Sequence, residues 1–520
     1  MGSESNQNAR ALLEDRARQT PTKSFLYSAS DDRKWTYSTF DLAVNRTANM
    51  LVENGIGKGD VVSLLLPNSP EFIIAYFACW KIGALAGPIN SLLKPEEIEW
   101  TVSNSEAKLM LAGSQFIASL NEPRLPAIKL IPFDDVSAAT AKFPELLDPV
   151  ELSPDDESII IYTSGTTGKP KGCLLTHGNL IANAKQIAEW MGFGPDDRLL
   201  TVMPLFHMNA VSVTTMTALY AGASTVVAPK FSASKFWYWI GKYKITSFGS
   251  VATMLSMLLA KYKENGPLPA LDSRPATLRF AMCGSAPVPA ELLKRFEETF
   301  GVRVIEGYGL SESTCRSTFN PPNEDRKPGS CGLPIGNEMK IVDEQNNEVP
   351  DGDLGEIVLR GPNIFKEYFR NRDATEKAFA GGWFHTGDIG YRDADGFFYI
   401  ADRKSDMIIR GGENIYPREI DDLLYTHPSV AAAAVIGVPD ELYGEEVAAF
   451  VVLKEGKETT GRELIDFCKA HLADFKCPKT VYFVADIPKG PTGKLLKREL
   501  AKMARQKPIQ TTPLADRNPY

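Results

Sequence analysis

The chain has 520 residues, which is too long for a single hydrophobic core, so two or more domains are expected. An apolar fraction of 43% and a charged fraction of 23% are those of an ordinary globular protein. The net charge of −8 argues against a protein that binds nucleic acid.

The seven cysteines favour a reducing compartment, because their number is odd and no C-x-x-C pair occurs. This pattern also offers no zinc site. The N-terminus is polar and has no signal-peptide region. The most apolar stretch, residues 72–89, is interrupted by Lys81 and two glycines, which disfavours a membrane span. We therefore expect a cytoplasmic protein without integral membrane association. The sequence does not decide between a monomer and a homodimer.

The first part of the chain alternates strand-like and helix-like segments. A strand-like run over residues 61–66 precedes a helix predicted over residues 72–82. Ser69 suits the N-cap of that helix and Pro70 its first position. A second strand-like run follows at residues 84–90. Such alternation predicts a largely parallel sheet with helices on both faces.

Residues 163–172 form a loop suited to polyphosphate. They follow a predicted buried strand and precede residues at helical spacing, so the predicted order is strand, loop and helix. The loop has three glycines, four hydroxyl side chains and two lysines in ten residues. Small residues let backbone N–H groups approach an anion, and lysine supplies a compact positive charge. Pro170 after Lys169 excludes a Walker A loop, and a flexible linker is disfavoured directly after a buried strand.

Other polar residues further along the chain have ordinary structural interpretations. An isolated histidine such as His207 is more often a core residue than a functional one. Asp388 could cap a turn. The basic run at residues 489–498 could be a solvated face, as most charge runs are.

The loop sequence YTSGTTGKPKG over Tyr162–Gly172 resembles the signature loop of the adenylate-forming superfamily. That superfamily contains acyl-CoA synthetases, peptide-synthetase adenylation domains and beetle luciferases. Further motifs match it in the same order, and the resemblance covers about residue 10 to about residue 500. These motifs are GYGLSE at 307–312, GWFHTGD at 382–388, the segment 402–420, and PKGPTGK at 488–494.

The resemblance implies an α/β fold with two domains. Residues 1–402 would form a large domain of stacked βα lobes with a β-barrel-like subdomain, and it would bind ATP and the acid. Residues 403–520 would form a small, mobile α+β domain that carries the catalytic lysine.

The resemblance also implies roles for individual residues. Ser311 would donate to the α-phosphate, His207 would line the carboxylate pocket, and Lys494 would be the adenylation lysine. Glu312 would hold Mg²⁺, with Thr163 as a further metal ligand. The implied ATP- and AMP-binding residues are Thr163, Ser164, Gly165, Thr166, Thr167, Lys171, Gly284, Ser285, Ala286, Glu306, Gly307, Tyr308, Gly309, Asp388 and Arg403.

At the junction between the domains, the resemblance implies that Arg410, Gly411 and Gly412 lie beside coenzyme A. The hinge position is Ser405, where the superfamily commonly has Asp or Lys. This departure bears on the chemistry of the hinge and leaves the predicted fold unchanged.

The implied reaction has two halves. A carboxylate attacks the α-phosphate of MgATP to give an acyl-adenylate and pyrophosphate, and the thiol of coenzyme A then takes the acyl group and releases AMP. The alternative is a stand-alone adenylating enzyme that passes the acyl group to a carrier protein or another acceptor. A binding protein without enzymatic activity is disfavoured by the presence of Lys494, Glu312 and Asp388.

The sequence says less about the acid. No F-D motif occurs at Phe248–Ser250, which disfavours an α-amino acid. Pocket positions at 248–251 and 309–314 are mostly small, apolar or hydroxylated, which suits an aliphatic or aryl acid. Local details are most similar to the crotonobetaine/carnitine–CoA ligase and fatty-acyl-CoA ligase branches. No aromatic cage for a quaternary ammonium can be located in the sequence.

Overall fold

The computed structural model describes residues 7–118, 120, 128–163, 170–265, 277–284, 288, 290–489 and 495–506. The chain divides into two compact units. The first comprises Met1–Val288, Leu293–Met339 and Leu359–His385, and the second comprises Pro289–Leu292, Lys340–Val358 and Thr386–Tyr520. The domain boundary between residues 402 and 403 stays a prediction.

The helices of the described residues are α1 Ala9–Gln19, α2 Tyr37–Glu53, α3 Pro70–Lys81, α4 Pro95–Ser105, α5 Ser114–Ile117, α6 Val136–Thr140, α7 His177–Met191, α8 Thr217–Tyr220, α9 Phe236–Lys242, α10 Ala252–Asn265, α11 Ala290–Phe300, α12 Arg372–Ala378, α13 Pro417–Thr426, α14 Gly461–Lys469 and α15 Lys497–Gln506. A π-helix spans Asn209–Met216, and short 3₁₀ helices span Ser311–Ser313, Ala380–Gly382 and Asp474–Lys476.

The strands are β1 Ser24–Ser28, β2 Lys34–Thr36, β3 Val61–Leu65, β4 Leu85–Pro88, β5 Leu109–Ala112, β6 Lys129–Pro132, β7 Glu157–Thr163, β8 Lys171–Thr176, β9 Arg198–Thr201, β10 Ser224–Val227, β11 Ser247–Ser250, β12 Phe280–Cys283, β13 Arg303–Tyr308, β14 Thr318–Phe319, β15 Leu333–Pro334, β16 Glu338–Val342, β17 Gly355–Arg360, β18 Glu367–Tyr368, β19 Phe384–Arg392, β20 Phe398–Arg403, β21 Ile408–Arg410, β22 Glu413–Ile415, β23 Val430–Asp440, β24 Gly444–Leu453 and β25 Thr480–Phe483.

The first unit is built on two sheets. One has the order β15-β14-β13-β12-β11-β9-β10-β1-β2, and the strands from β13 to β1 are parallel. The other has the order β18-β8-β7-β4-β3-β5-β6, and its strands from β7 to β6 are parallel. The alternation of strands and helices in the sequence therefore predicted the parallel sheets correctly.

Helix α3 shows why the local prediction succeeded. The Ser69 hydroxyl accepts a hydrogen bond from the Phe72 N–H, and Pro70 is the first helical residue, as expected. Every residue of the helix is buried, including Lys81, whose Nζ donates to Asp41 Oδ1 at 2.5 Å. None of the described helices has the length and apolar character needed to cross a bilayer.

The second unit contains the sheet ordered β16-β17-β19-β20 and the sheet ordered β22-β21-β24-β23, in which β25 also pairs with β24. Apolar side chains from α13, α14, β23 and β24, such as Leu424, Leu464 and Val435, form its core. The expected fold class is confirmed: an α/β fold of several sheets with a smaller C-terminal α+β domain.

Candidate functional site

The predicted phosphate loop connects two antiparallel strands. Thr163, the last residue of β7, is paired with Lys171, the first residue of β8. Ser164, Gly165, Thr166 and Thr167 lie outside the described residues. The predicted order of strand, loop and helix was incomplete, because β8 precedes helix α7. The Thr176 side chain caps that helix by accepting a hydrogen bond from the Asn179 N–H.

Strand β18 brings Tyr368 between Lys171 and Glu312. Tyr368 is paired with Cys173 of β8, so its ring reaches Lys171, whose Nζ lies 4.8 Å from the ring centre. The Tyr368 hydroxyl donates to Glu312 Oε1 at 2.9 Å. The first unit thus places the phosphate-loop lysine near the ring of Tyr368 and the predicted metal ligand at the hydroxyl of the same side chain.

Tyr368 was missed by sequence reasoning. It occupies a strand of two residues, and its partners lie in β8 and in the 3₁₀ helix Ser311–Ser313. Such a contact depends on the pairing of β18 with β8, for which the sequence offers no local signal.

The carboxylate of Glu312 is suited to a hard cation. Tyr368 binds Oε1, and no described residue donates a hydrogen bond to Oε2. The backbone at Glu312 is fixed, because its carbonyl accepts from the Phe365 N–H at 2.8 Å. No cluster of three or more His, Cys, Asp or Glu side chains suited to a metal ion occurs in the described part of the chain. A metal bound here would therefore need oxygen ligands from elsewhere, such as ATP phosphates.

The predicted adenine-binding residues lie at neighbouring strand ends. Cys283 of β12 is paired with Glu306 of β13, so Gly284 follows β12 beside Gly307. A Cβ atom on Gly284 would lie 2.7 Å from the Gly307 carbonyl oxygen, and one on Gly309 would lie 2.0 Å from the Cys315 oxygen. Only glycine fits such close approaches.

Of the other predicted adenine-binding residues, two are buried and two lie outside the described residues. Glu306 is buried, and its Oε2 accepts from the Gly329 N–H at 2.9 Å. Tyr308 is also buried. Ser285 and Ala286 lie outside the described residues.

His207 lies between β9 and the π-helix. Its ring is packed against Phe206, with 4.7 Å between the ring centres. Its Nε2 atom is buried and has no hydrogen-bond partner in the part of the chain that the structure describes. Burial lowers the pKa of His207 to about 4, so the ring is neutral near pH 7. A neutral imidazole with an open nitrogen can donate to or accept from a bound carboxyl group.

The π-helix Asn209–Met216 directly follows this histidine and is entirely buried. Its wide turn is closed by the Thr217 N–H, which donates to the Ser212 carbonyl five residues earlier. Asn209 lies against the end of β11, where a Cβ on Gly249 would lie 2.9 Å from Asn209 Oδ1. Turns of this kind are frequent at functional sites.

Arg316 is a further charged residue of this region that sequence reasoning missed. Only 2% of its surface is exposed, and its Nη2 lies 2.7 Å from the position of a Cβ on Gly284. The sequence predicts a pocket with mostly small, apolar or hydroxylated side chains up to residue 314. A charged residue two positions later, within a stretch of small side chains, was the available signal.

In the second unit, the buried Asp388 forms an ion pair with the partly exposed Arg403. They are register partners on β19 and β20, and Arg403 Nε lies 3.0 Å from Asp388 Oδ1. The two residues predicted to bind the ribose are therefore brought together by one hairpin. The Thr386 hydroxyl accepts from the Asp388 N–H and fixes the backbone there.

The predicted hinge and CoA-binding residues follow in the same unit. Ser405 is exposed and donates to Asp406 Oδ1 at 3.0 Å. Arg410 Nε lies 2.6 Å from Glu446 Oε1, and its guanidinium lies 4.0 Å from the Tyr443 ring centre. Gly411 and Gly412 have φ of +59° and +92° in the turn between β21 and β22. Lys494 lies outside the described residues.

Comparisons with known proteins identify the family of the chain. Residues 13–369 match the AMP-binding enzyme family, and residues 419–494 match the AMP-binding enzyme C-terminal domain. The chain is 36% identical to a sulfoacetate–CoA ligase of Cupriavidus necator over 505 residues, which are 95% of this chain and 97% of that protein. It is also 36% identical to a crotonobetaine/carnitine–CoA ligase of Salmonella arizonae over 495 residues, which are 91% of this chain and 94% of that protein.

A solved structure of ATP-bound MatB from Rhodopseudomonas palustris is similar over 96% of this chain and 99% of that chain, with a TM-score of 0.89 and 31% identity. The predicted similarity to crotonobetaine/carnitine–CoA ligases is confirmed, and transfer to a carrier protein is not favoured. The chain therefore belongs to the AMP-binding enzyme family, and it is an acyl-CoA synthetase that forms AMP as it joins a carboxylic acid to coenzyme A.

Proposed function

We propose that the first unit activates the acid with MgATP at the site between Lys171 and Glu312. The observation that carries this proposal is the Tyr368 contact, which joins the carboxylate to the side chain beside the phosphate-loop lysine. A cation site and an anion site at such close range suit a metal-bound polyphosphate.

Glu312 would hold Mg²⁺ through its carboxylate, and Thr163 could add a hydroxyl ligand. The ion would neutralise charge on the phosphate oxygens when it is bound. Lys171 and residues 163–167 would bind the β- and γ-phosphates, and Ser311 would donate to the α-phosphate.

The base and the ribose would be bound by separate groups. Gly284 to Ala286 and Glu306 to Gly309 would surround the adenine, with Tyr308 stacked on it. Asp388 would accept hydrogen bonds from both ribose hydroxyls, and Arg403 would bind beside it. The existing ion pair supports this role, since it orients the Asp388 carboxylate before the nucleotide arrives.

Acyl-adenylate formation would need no side-chain nucleophile. A carboxylate oxygen of the substrate attacks the α-phosphorus, the bond to the bridging oxygen breaks, and pyrophosphate leaves. His207, neutral and with an open Nε2, would orient the acid, and Lys494 would stabilise the charge that builds up between the two reactants.

The second half-reaction would follow a rotation of the C-terminal domain about Ser405. The thiol of coenzyme A attacks the carbonyl carbon of the mixed anhydride, loses its proton, and expels AMP. Arg410, Gly411 and Gly412 would lie beside coenzyme A, and the positive φ of both glycines supports a tight turn that a ligand can approach. All seven cysteines are free thiols, which supports a reducing compartment such as the cytoplasm.

The test is to incubate the protein with MgATP and a panel of carboxylic acids, with and without coenzyme A, and to identify the products by mass spectrometry. The expected products are acyl-CoA and AMP. An acyl-adenylate that persists after coenzyme A is added would contradict the second half of the proposal.

A further inference from the structure

Arg316 is a buried cation that the established reaction does not use. Its Nη1 donates to the Cys315 carbonyl at 3.2 Å, and its guanidinium lies 5.4 Å from the Phe319 ring centre. Its Nε is buried and has no hydrogen-bond partner among the described residues. No aspartate or glutamate in the described ranges forms an ion pair with it. A buried charge left in this state is costly, so the arrangement indicates a partner that the described residues do not supply.

The side chain lies where this kind of sheet binds ligands. Gly284 and Gly249 stand at the carboxyl ends of the neighbouring parallel strands β12 and β11. Arg316 Nη2 lies 2.7 Å from a Cβ position on Gly284, and Asn209 Oδ1 lies 2.9 Å from one on Gly249. Ligands of open α/β sheets bind outside these strand ends. The absence of side chains at the two glycines leaves room there for these two polar groups.

The backbone of Arg316 is held by two side-chain amides. Its carbonyl accepts from Asn183 Nδ2 at 2.7 Å and from Asn363 Nδ2 at 3.1 Å. Asn183 Oδ1 in turn accepts from the Ser212 hydroxyl at 2.8 Å. Ser212 belongs to the π-helix that follows His207, so one hydrogen-bond chain connects that helix to the backbone of Arg316.

Glu306 is a buried acid on β13, the strand next to β12. Its Oε2 is engaged by the Gly329 N–H at 2.9 Å, and it forms no ion pair with Arg316. The positive charge of Arg316 is therefore not neutralised by this neighbour.

We propose that Arg316 binds a second anionic group of the acid, remote from the carboxylate that is activated. This inference rests on the proposed function, because it concerns the acyl pocket of that same reaction. The substrate class is then acids that carry a further carboxylate or sulfonate. Guanidinium binds such groups through two parallel hydrogen bonds, which would satisfy the open donors.

The two relatives differ in this respect. A sulfoacetate–CoA ligase acts on an acid with a sulfonate, whereas a crotonobetaine/carnitine–CoA ligase acts on acids with a cationic ammonium. Both are 36% identical to this chain, so identity does not choose between them. Arg316 favours the anionic acid, since it would repel an ammonium and would stay unpaired against a simple aliphatic tail.

The experiment compares acids of matched length: propionate and butyrate, malonate and succinate, sulfoacetate, and γ-butyrobetaine. AMP formation with MgATP and coenzyme A is measured for the native protein and for Arg316→Met. We expect kcat/KM of the native protein to be about 100-fold higher for a dianionic acid than for its monoanionic match. Arg316→Met should remove this preference and leave the monoanionic acids within about threefold. An equal loss for both classes, or a native preference for monoanionic or cationic acids, would overturn the inference.

Two further measurements keep the test independent of folding and of turnover. Arg316→Lys keeps the positive charge but lacks the two parallel N–H donors of a guanidinium. It should therefore retain part of the preference for dianionic acids. Thermal shifts of the native protein, with a non-hydrolysable ATP analogue, should be larger for sulfoacetate than for propionate at equal concentration. Equal shifts would overturn the inference. The separate failure of the proposed function would be an absence of AMP formation with every acid, whereas turnover of monoanionic acids alone would overturn only the role of Arg316.

Discussion

The candidate residues of the two units differ in how their buried polar groups are partnered. In the second unit, the buried acid Asp388 lies against Arg403, and the buried acid Glu446 lies against Arg410. In the first unit, Arg316 Nε and His207 Nε2 are buried without a partner among the described residues. Ion pairs fix the structure of the unit that contains them. Unpartnered buried polar groups are costly unless a ligand completes them, and they mark where the substrate is expected.

The largest effect should come from Lys494, the residue of the C-terminal domain predicted to act on substrate charge. Lys494→Ala should lower the rate of acyl-adenylate formation by about 10²- to 10³-fold, a typical loss for one preorganised charge in a transition state. Thioester formation from pre-made acyl-adenylate should continue. Both half-reactions are measured separately by mass spectrometry, and equal losses in the two would contradict the assignment.

Removing the carboxylate of Glu312 tests the metal role. Glu312→Ala should raise the Mg²⁺ concentration needed for half-maximal adenylation by at least about tenfold. The matched control is Glu367→Ala, which removes an exposed carboxylate next to Tyr368 in the sequence. A Mg²⁺ titration that is the same for Glu312→Ala and the native protein would remove Glu312 from this role.

Removal of a paired charge should instead lower the stability of the protein. Glu446 is 4% exposed and binds both Arg410 and Lys479. Glu446→Gln would leave the half-buried Arg410 without its counter-charge, and should lower the free energy of unfolding by about 2 kcal/mol. Urea denaturation measures this loss, with the exposed Glu455→Gln as control. Equal stability of both variants would show that the pair contributes little.

The smallest effect concerns His177, a buried side chain outside the proposed machinery. Its Nε2 has no hydrogen-bond partner within the described ranges. Burial lowers the pKa of His177 to about 4 from 6.5, although nearby Asp156 acts in the opposite direction. The unfolded state then binds more protons below pH 6.5, so stability falls as the pH drops toward 4. This group alone should cost about 1 kcal/mol at pH 5.5.

His177→Gln should therefore flatten the stability profile between pH 6.5 and 5 while leaving turnover near that of the native protein. Thermal denaturation at several pH values measures the profile, and His471→Gln, at an exposed position, is the control. An unchanged slope would mean that other groups set the acid sensitivity. A large loss of turnover would weaken the comparison, since an unpaired buried atom outside the site would then matter for catalysis.

The sequence predicted those features that depend on short stretches of chain. Ser69 and Pro70 begin α3 as expected, because capping needs only neighbouring residues. The Asp388 and Arg403 motifs were identified separately, and one hairpin brings them together. The roles of these residues stay predictions.

Tertiary contacts could not be predicted from the sequence. Tyr368 reaches Glu312 across 56 positions in the chain, and the pairing of β18 with β8 has no local signature. Arginine is usually exposed, so the sequence alone does not indicate that Arg316 is buried, as it is in the structure. Thr314, between these two charged residues, has φ of +63°, which its β-branched side chain does not favour. Its hydroxyl donates to the Asn363 carbonyl at 2.7 Å, so a distant segment holds the turn.

The π-helix after His207 has a consequence for how this enzyme family can change its substrates. A π-helical turn is equivalent to one residue inserted into an α-helix. Deleting a single residue within Asn209–Met216 would restore ordinary helical pitch and rotate the preceding positions by about 100°, the angle per residue of an α-helix. His207 and Asn209 would then point elsewhere without any change in their identity. Insertions and deletions of one residue here are therefore a route to new acid specificity that point substitutions cannot reproduce.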